Sequence, residues 1–343
     1  MSDFESLIFY VLSFLLSVGL YTVYCKKNKK IFLIGAAIIP LLIGGLRYNV
    51  GTDYMNYYNF YENNSFIDPG FYVVSSVSRH FDNYQLIFFI YNLLTLLFVF
   101  LGLKNIDKQY RPIAYLCFLF LFFTVSFNAM RQMLAVSIVF FSYKYAINKR
   151  MLLFIATILF ATIFHTTAIF SIILYPLMNL NKRFIKVVAL VVILVVVLNY
   201  QDIVKILASL PLFDHFSLYE SYIGNVTFSN MSFLVDLLVL AYLVFVRKKA
   251  IRQNPAFREY LFIYIIGVIL SLTGFSDPYV KRIALYFTVA SIILLPVASS
   301  SYEDRKNRLI NQMAVVIFVI SKFIVQIYLL GQADIIPYNF VGV

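Results

Sequence analysis

Gly44-Gly45-Leu46-Arg47-Tyr48-Asn49-Val50-Gly51-Thr52-Asp53-Tyr54-Met55-Asn56-Tyr57-Tyr58 follows directly on an apolar run, Ile31 to Ile43. The run has the composition of a membrane-spanning helix. The stretch after it sets an arginine, an aspartate and a cluster of tyrosines at the mouth of that span. A charge at such a depth is expensive unless it faces a cavity, a headgroup or a partner. The plain alternative is a polar loop that closes a helix.

The surrounding chain supports the membrane reading. Apolar residues make up 62% of the 343 residues and charged residues only 13%, against about 25% charged in a soluble domain. The mean hydropathy is +0.85. A span takes about 20 apolar residues, and on that rule about ten or eleven segments fit. The expected fold is therefore an all-α polytopic membrane protein, with residues 1–343 forming one integral membrane domain. The net charge of +12 does not point to nucleic acid, because the basic residues lie in short clusters between spans. Cys25 and Cys117 lie in or beside apolar runs and read as small packing residues. Three histidines without ligand spacing give no metal site.

Expected spans cover about residues 4–25, 31–46, 83–103, 112–126 and 129–147, then 184–200, 231–246, 259–273, 279–297 and 310–330. The first has Asp3 and Glu5 before it and four lysines after it, the reverse of a signal peptide, so it reads as a retained span with its N-terminus outside. Asp68-Pro69 reads as an N-cap and first helical position. The helix it opens, near residues 70–80, is too polar to span and places Tyr72, Ser75, Ser76 and Arg79 on one face. Asn128, Arg131, Gln132 and Ala135 likewise share a helical face. Residues 151–180 are too long for one span. Read as two short segments meeting at His165, they keep the later basic clusters inside. Twenty-one of the 28 Lys and Arg residues then fall on the inner side, as the positive-inside rule requires.

Arg47, Arg79, Arg131 and Arg282 fall together on the opposite, outer side, with His165 and Asp53. Planar, permanently charged guanidinium groups suit phosphate. Ordinary lipid headgroups, or pairing with Asp53, Asp68, Asp82 or Asp277, would also account for them. His165 is either a hydrogen-bonded core residue or a base at a helix break. Asp53 is either a general base or a partner for Arg47. Tyr54 and Tyr57 suit sugar faces, and equally an interfacial aromatic belt. The outer-face loops of this plan are residues 47–82 and 201–230.

Arg47 to Tyr54, with Tyr57 following, resembles the signature of the EpsG family, Wzy-like polymerases of bacterial surface polysaccharides. Asn128 to Ala135 with Arg131, Phe164-His165-Thr166-Thr167-Ala168, Lys281-Arg282-Ile283-Ala284-Leu285-Tyr286-Phe287 and Ile336-Pro337-Tyr338 are similar too, so the resemblance runs along the whole chain in order. It implies a GT-C-like glycosyltransferase of the bacterial plasma membrane. Such an enzyme joins oligosaccharide repeat units carried on undecaprenyl pyrophosphate, on the side facing the periplasm or cell exterior. It needs no nucleotide sugar and no cofactor. By the same resemblance, Arg47, Arg131 and Arg282, assisted by Arg79, stabilise the pyrophosphate leaving group. His165 or Asp53 accepts the acceptor hydroxyl's proton, with His165 favoured as a neutral imidazole. Tyr54 and Tyr57 shape the sugar site, and loop 201–230 covers the donor. Membrane lipids and a chain-length regulator are the implied partners. A flippase for the same lipid-linked unit, an O-antigen ligase and an acyltransferase using a histidine–acid pair are the competing readings.

Overall fold

The computed structural model describes residues 1–180, 182–199, 231–272 and 278–341. Among these residues the chain is helical, and the one extended pairing is an isolated antiparallel bridge between Arg47 and Phe340. The expected outer loop 201–230, together with Asp277, lies outside the described residues.

α1 spans Asp3–Lys27 and opens on a reciprocal capping box, in which Ser2 and Glu5 each accept the other's backbone N–H. Two of its first-turn donors are thereby satisfied. Asn28, in the left-handed region, ends it. α2 (Lys30–Gly45) follows, then two short polar helices, α3 (Tyr54–Glu62) and α4 (Pro69–His80). α4 begins as its sequence signals: Asp68 accepts the Phe71 N–H at 2.7 Å, and Pro69 occupies the first helical position. α5 (Gln85–Leu103) and α6 (Arg111–Leu121) are apolar, and α6 tightens into a 3-10 turn at Phe123–Phe127. α7 covers Met130–Ile147 and α8 covers Met151–Thr162.

Residues 151–180 break where expected. α8 stops at Thr162, Ile163 to His165 leave the helix, and a 3-10 segment (Thr166–Ile173) leads into α9 (Leu174–Asn179). The later elements are α10 (Arg183–Leu198), α11 (Met231–Gln253), α12 (Phe257–Leu272), α13 (Pro278–Thr288), α14 (Ser291–Ser299) and α15 (Arg305–Ile324). The span expected at 279–297 is interrupted at Val289-Ala290. Four described apolar stretches are long enough to cross a bilayer: Asp3–Lys27, Gln85–Leu103, Arg282–Ser299 and Arg305–Leu329. Five shorter apolar helices accompany them, among them Lys30–Gly45 and Met151–Thr162. The architecture is thus an all-α polytopic membrane protein whose spanning segments are often cut short.

The chain forms two compact units, Met1–Ile172 with Ser291–Val343, and Ile173–Ala290. In the first, α5 packs on α7 and α2, α1 packs on α2 and α6, and α15 closes on α6. Phe14 lies at the centre of an aromatic core, with the rings of Phe120, Phe123 and Phe323 edge-on to it at 5.4 to 5.9 Å. Rows of exposed apolar residues at helical spacing, such as Ile31, Ile34 and Ile38 or Leu93 and Leu97, leave faces suited to lipid. In the second unit α10, α11 and α13 pack on α12, and a Lys186–Glu259 ion pair links α10 to α12.

Candidate functional site

α2 ends in two glycines because α5 passes against them. A Cβ on Gly45 would meet the Phe89 ring at 2.8 Å, and one on Gly44 would strike the Asn92 amide. The chain then turns through Asn49 (φ 49°) and Gly51 (φ 94°) before α3 begins. A Cβ at Gly51 would lie 2.6 Å from Asn128 Oδ1 and 3.0 Å from the Phe127 carbonyl oxygen. Both the backbone angle and the close approach therefore require glycine.

That turn encloses Arg47, which is fully buried. Its Nη1 donates to the carbonyls of Val50 at 2.8 Å and Phe127 at 2.6 Å. The guanidinium lies 4.8 Å from the centre of the Phe88 ring and 4.6 Å from that of Phe127. Nε and Nη2 have no hydrogen-bond partner among the described residues. Burial pushes its pKa down to about 10, so the group is still charged at neutral pH. The described ion pairs are Arg131–Asp68 and Lys186–Glu259, and neither neutralises Arg47. Asp53 stands half-buried at the entrance to α3 and accepts a hydrogen bond from Asn56 Nδ2 at 3.3 Å.

Spacing along α3 turns Tyr54, Tyr57 and Tyr61 inward. Tyr54 is stacked on Phe88 with ring centres 4.6 Å apart, and its hydroxyl reaches Gln85 Oε1 at 3.3 Å. Gln85 in turn donates to the Arg47 carbonyl at 2.9 Å. The Tyr57 hydroxyl donates to the Asn128 carbonyl at 3.0 Å and interacts with the Arg131 guanidinium. Both tyrosines thus face the protein and brace the two arginines.

Arg131 lies in the first turn of α7 and is ion-paired with Asp68, the N-cap of α4. Burial pushes the Asp68 carboxyl up, opposed by the Phe71 N–H and by Arg131. Two residues further on, Gly70 N–H donates to the Ile163 carbonyl at 2.8 Å. A Cβ there would meet that oxygen at 2.9 Å and the Phe164 ring at 2.5 Å. The start of α4 therefore joins Arg131 to the break that carries His165. His165 is half-buried, and its N–H donates to the Ala161 carbonyl at 3.2 Å. Arg79, in the last turn of α4, donates to the Tyr61 carbonyl at 3.2 Å and to Ser76 Oγ at 3.3 Å.

Of the expected site residues of the first unit, Arg47, Tyr54, Tyr57 and Arg131 lie in one linked group, His165 is tied to it through the backbone at the start of α4, and Asp53 and Arg79 bond to local partners. Arg282 lies on α13 of the second unit, where it is exposed. One expectation needs correction. Asn128 does not share a helical face with Arg131, because α7 starts only at Met130. Asn128 instead follows the 3-10 turn, which points its Nδ2 at the Ala333 carbonyl, 3.0 Å away. Asp68 was named in the sequence reading among four aspartates that could pair with the arginines, and the structure gives it to Arg131, 63 positions away. The sequence reading missed one contributor. The segment after residue 331 returns to line the Arg47 turn, and its only signal was the resemblance of Ile336-Pro337-Tyr338.

The described residues thus define an all-helical, membrane-embedded protein with Arg47 and Arg131 set where helices end or begin. More particularly, the chain belongs to the EpsG family, whose model matches residues 30–340. No curated protein and no solved structure matches it.

Proposed function

We propose that this protein is a polysaccharide polymerase that joins undecaprenyl-pyrophosphate-linked oligosaccharide units at the outer face of the bacterial plasma membrane. The family assignment gives the reaction class. The observation that supports the donor is the charge balance of the cluster: of the two buried arginines, Arg131 is ion-paired with Asp68, while the described hydrogen bonds of Arg47 go to carbonyls. A buried excess of positive charge in a low dielectric favours a dianionic leaving group as it develops. Arg131 and Arg79 take the pyrophosphate oxygens directly, and Arg47 supplies charge from beneath. His165 or Asp53 accepts the proton of the attacking sugar hydroxyl. Tyr54 and Tyr57, buried on the inner face of α3, brace Arg47 and Arg131 behind the sugar site. A chain-length regulator acts as partner.

The direct test is purified protein with a lipid-pyrophosphate-linked repeat unit, without nucleotide sugar or added metal. A ladder of lengthening products, lost in Arg131→Ala, is the expected result. Movement of the intact unit across a liposome membrane without any ladder would instead establish a flippase.

A further inference from the structure

After α15 the chain passes through a π-helical turn (Val325–Leu329) and reverses at Gly331. It then re-enters the protein. Ile335 and Tyr338 are completely buried. The Tyr338 hydroxyl donates to the Ile43 carbonyl at 2.8 Å, and its backbone N–H to Ser6 Oγ at 2.8 Å. Tyr10 donates to the Ile335 carbonyl at 2.9 Å. The Tyr338 ring lies against those of Phe9, Tyr10 and Phe340, with centres 5.1, 5.5 and 4.8 Å away.

This segment bonds to the backbone of the motif itself. Tyr48 N–H donates to the Asn339 carbonyl at 2.9 Å, and Val341 N–H to that of Leu46 at 2.9 Å, on either side of the Arg47–Phe340 bridge. Gly51 N–H donates to the Asp334 carbonyl at 2.8 Å. The adjacent Ala333 carbonyl accepts from Asn128, three residues before Arg131. Ala333 (φ 76°) and Asp334 (φ 48°) both hold left-handed backbone angles. For residues other than glycine such angles cost energy and persist where surrounding contacts impose them. Here those contacts lead to the two chain segments that carry Arg47 and Arg131.

We propose that residues 332–341 form a fixed positioning strap, anchored by Tyr338, that sets Arg47 and Arg131 for the donor pyrophosphate. The inference rests on the polymerase reading. Tyr338 touches no reacting atom, so it is a positioning residue. Its contribution is to hold the Arg47 turn against Asn128. A strap of this kind stays closed during turnover, whereas a lid would have to open.

Three measurements test this in a background where the buried Cys25 and Cys117 are replaced by alanine. The first does not depend on activity. Val50 is fully buried, next to Gly51, whose N–H the strap holds through the Asp334 carbonyl. A thiol introduced by Val50→Cys is expected to resist an impermeant maleimide with Tyr338 present and to label at least about tenfold faster with Tyr338→Ala. Unchanged labelling overturns the strap whether or not the polymerase reading holds. The second measurement is the donor KM. Tyr338→Ala is expected to raise it by about 10- to 100-fold, with Tyr338→Phe, which keeps the ring, intermediate. A loss confined to kcat, as from a smaller folded fraction, overturns the positioning role. The third joins the exposed pair Tyr48→Cys and Asn339→Cys by a disulfide. Full turnover in the locked protein is expected, and loss of turnover on locking, restored by reduction, makes the segment a lid. A wild-type protein that forms no ladder refutes the polymerase reading separately, with the labelling result still standing.

Discussion

Gly51 concentrates the constraints of the motif in one residue. Its φ of 94° and the three atoms that a Cβ would meet, the nearest at 2.6 Å, leave no room for a side chain. Gly51→Ala is expected to cost more than about 1 kcal/mol of stability, read as a lowered unfolding temperature in detergent, and to suppress polymerisation by misplacing Arg47. Asp68 separates two roles within one side chain. Asn caps helices as well as Asp, so Asp68→Asn preserves the start of α4 while leaving Arg131 without its counter-charge. The expected outcome is near-normal folding with altered donor binding, measured as a change in the donor KM. Acid has the same chemical effect. Because burial raises the folded pKa of Asp68, protonation favours the folded state, and the energetic cost of its buried charge is relieved as pH falls through that raised value. The ion pair with Arg131 is lost over the same interval, above the pH at which an ordinary aspartate protonates. Activity is therefore expected to fall on that acid limb without a parallel loss of stability from this group, and Asp68→Asn is expected to flatten it.

Among the elements, α4 is the connector between the arginines and the His165 break. It is short, polar and capped by Asp68. Its attachment is the Gly70 N–H bond to Ile163, made where α8 has run out of helix and exposes a carbonyl. Gly70→Ala places a methyl group against both the Ile163 oxygen and the Phe164 ring. Overpacking of this sort typically costs about 1 to 3 kcal/mol. Faster hydrogen exchange in residues 69–80 and 163–168, with α1 and α2 unchanged, is the expected signature. The sequence indicated this helix and this break separately, through a Pro after an acidic cap and through a run too long for one span. Their mutual docking was not legible, because a glycine that admits a neighbouring carbonyl looks like any other glycine at a helix start.

At the scale of the whole molecule, the charge distribution carries an expected orientation. With the basic clusters inside, the positive-inside rule is expected to place the His165 break at the outer surface. Thr166 is exposed beside it. A thiol introduced by Thr166→Cys in a protein freed of Cys25 and Cys117 is expected to react with an impermeant reagent from outside intact cells. Reaction only after access to the cytoplasmic side would invert the topology and with it the proposed outer-face chemistry.

The sequence by itself determined the solvent of this protein, its helical class, most helix positions and the identity of the charged motif. Composition and periodicity are local properties, and a bilayer leaves helices as the simplest way to satisfy the backbone over 20-residue apolar runs. Only the tertiary structure decided what the motif residues touch. Arg47 reads as a surface cation beside a span, yet it is fully buried between Phe88 and Phe127 and bonded to two carbonyls. Tyr54 and Tyr57 read as open aromatic faces, yet α3 turns them onto Phe88 and Asn128. The Arg131–Asp68 pair and the return of residues 332–341 depend on packing between distant segments. Such pairings are set by which carbonyls and rings a folded surface leaves without partners, and that surface exists only once the helices have come together.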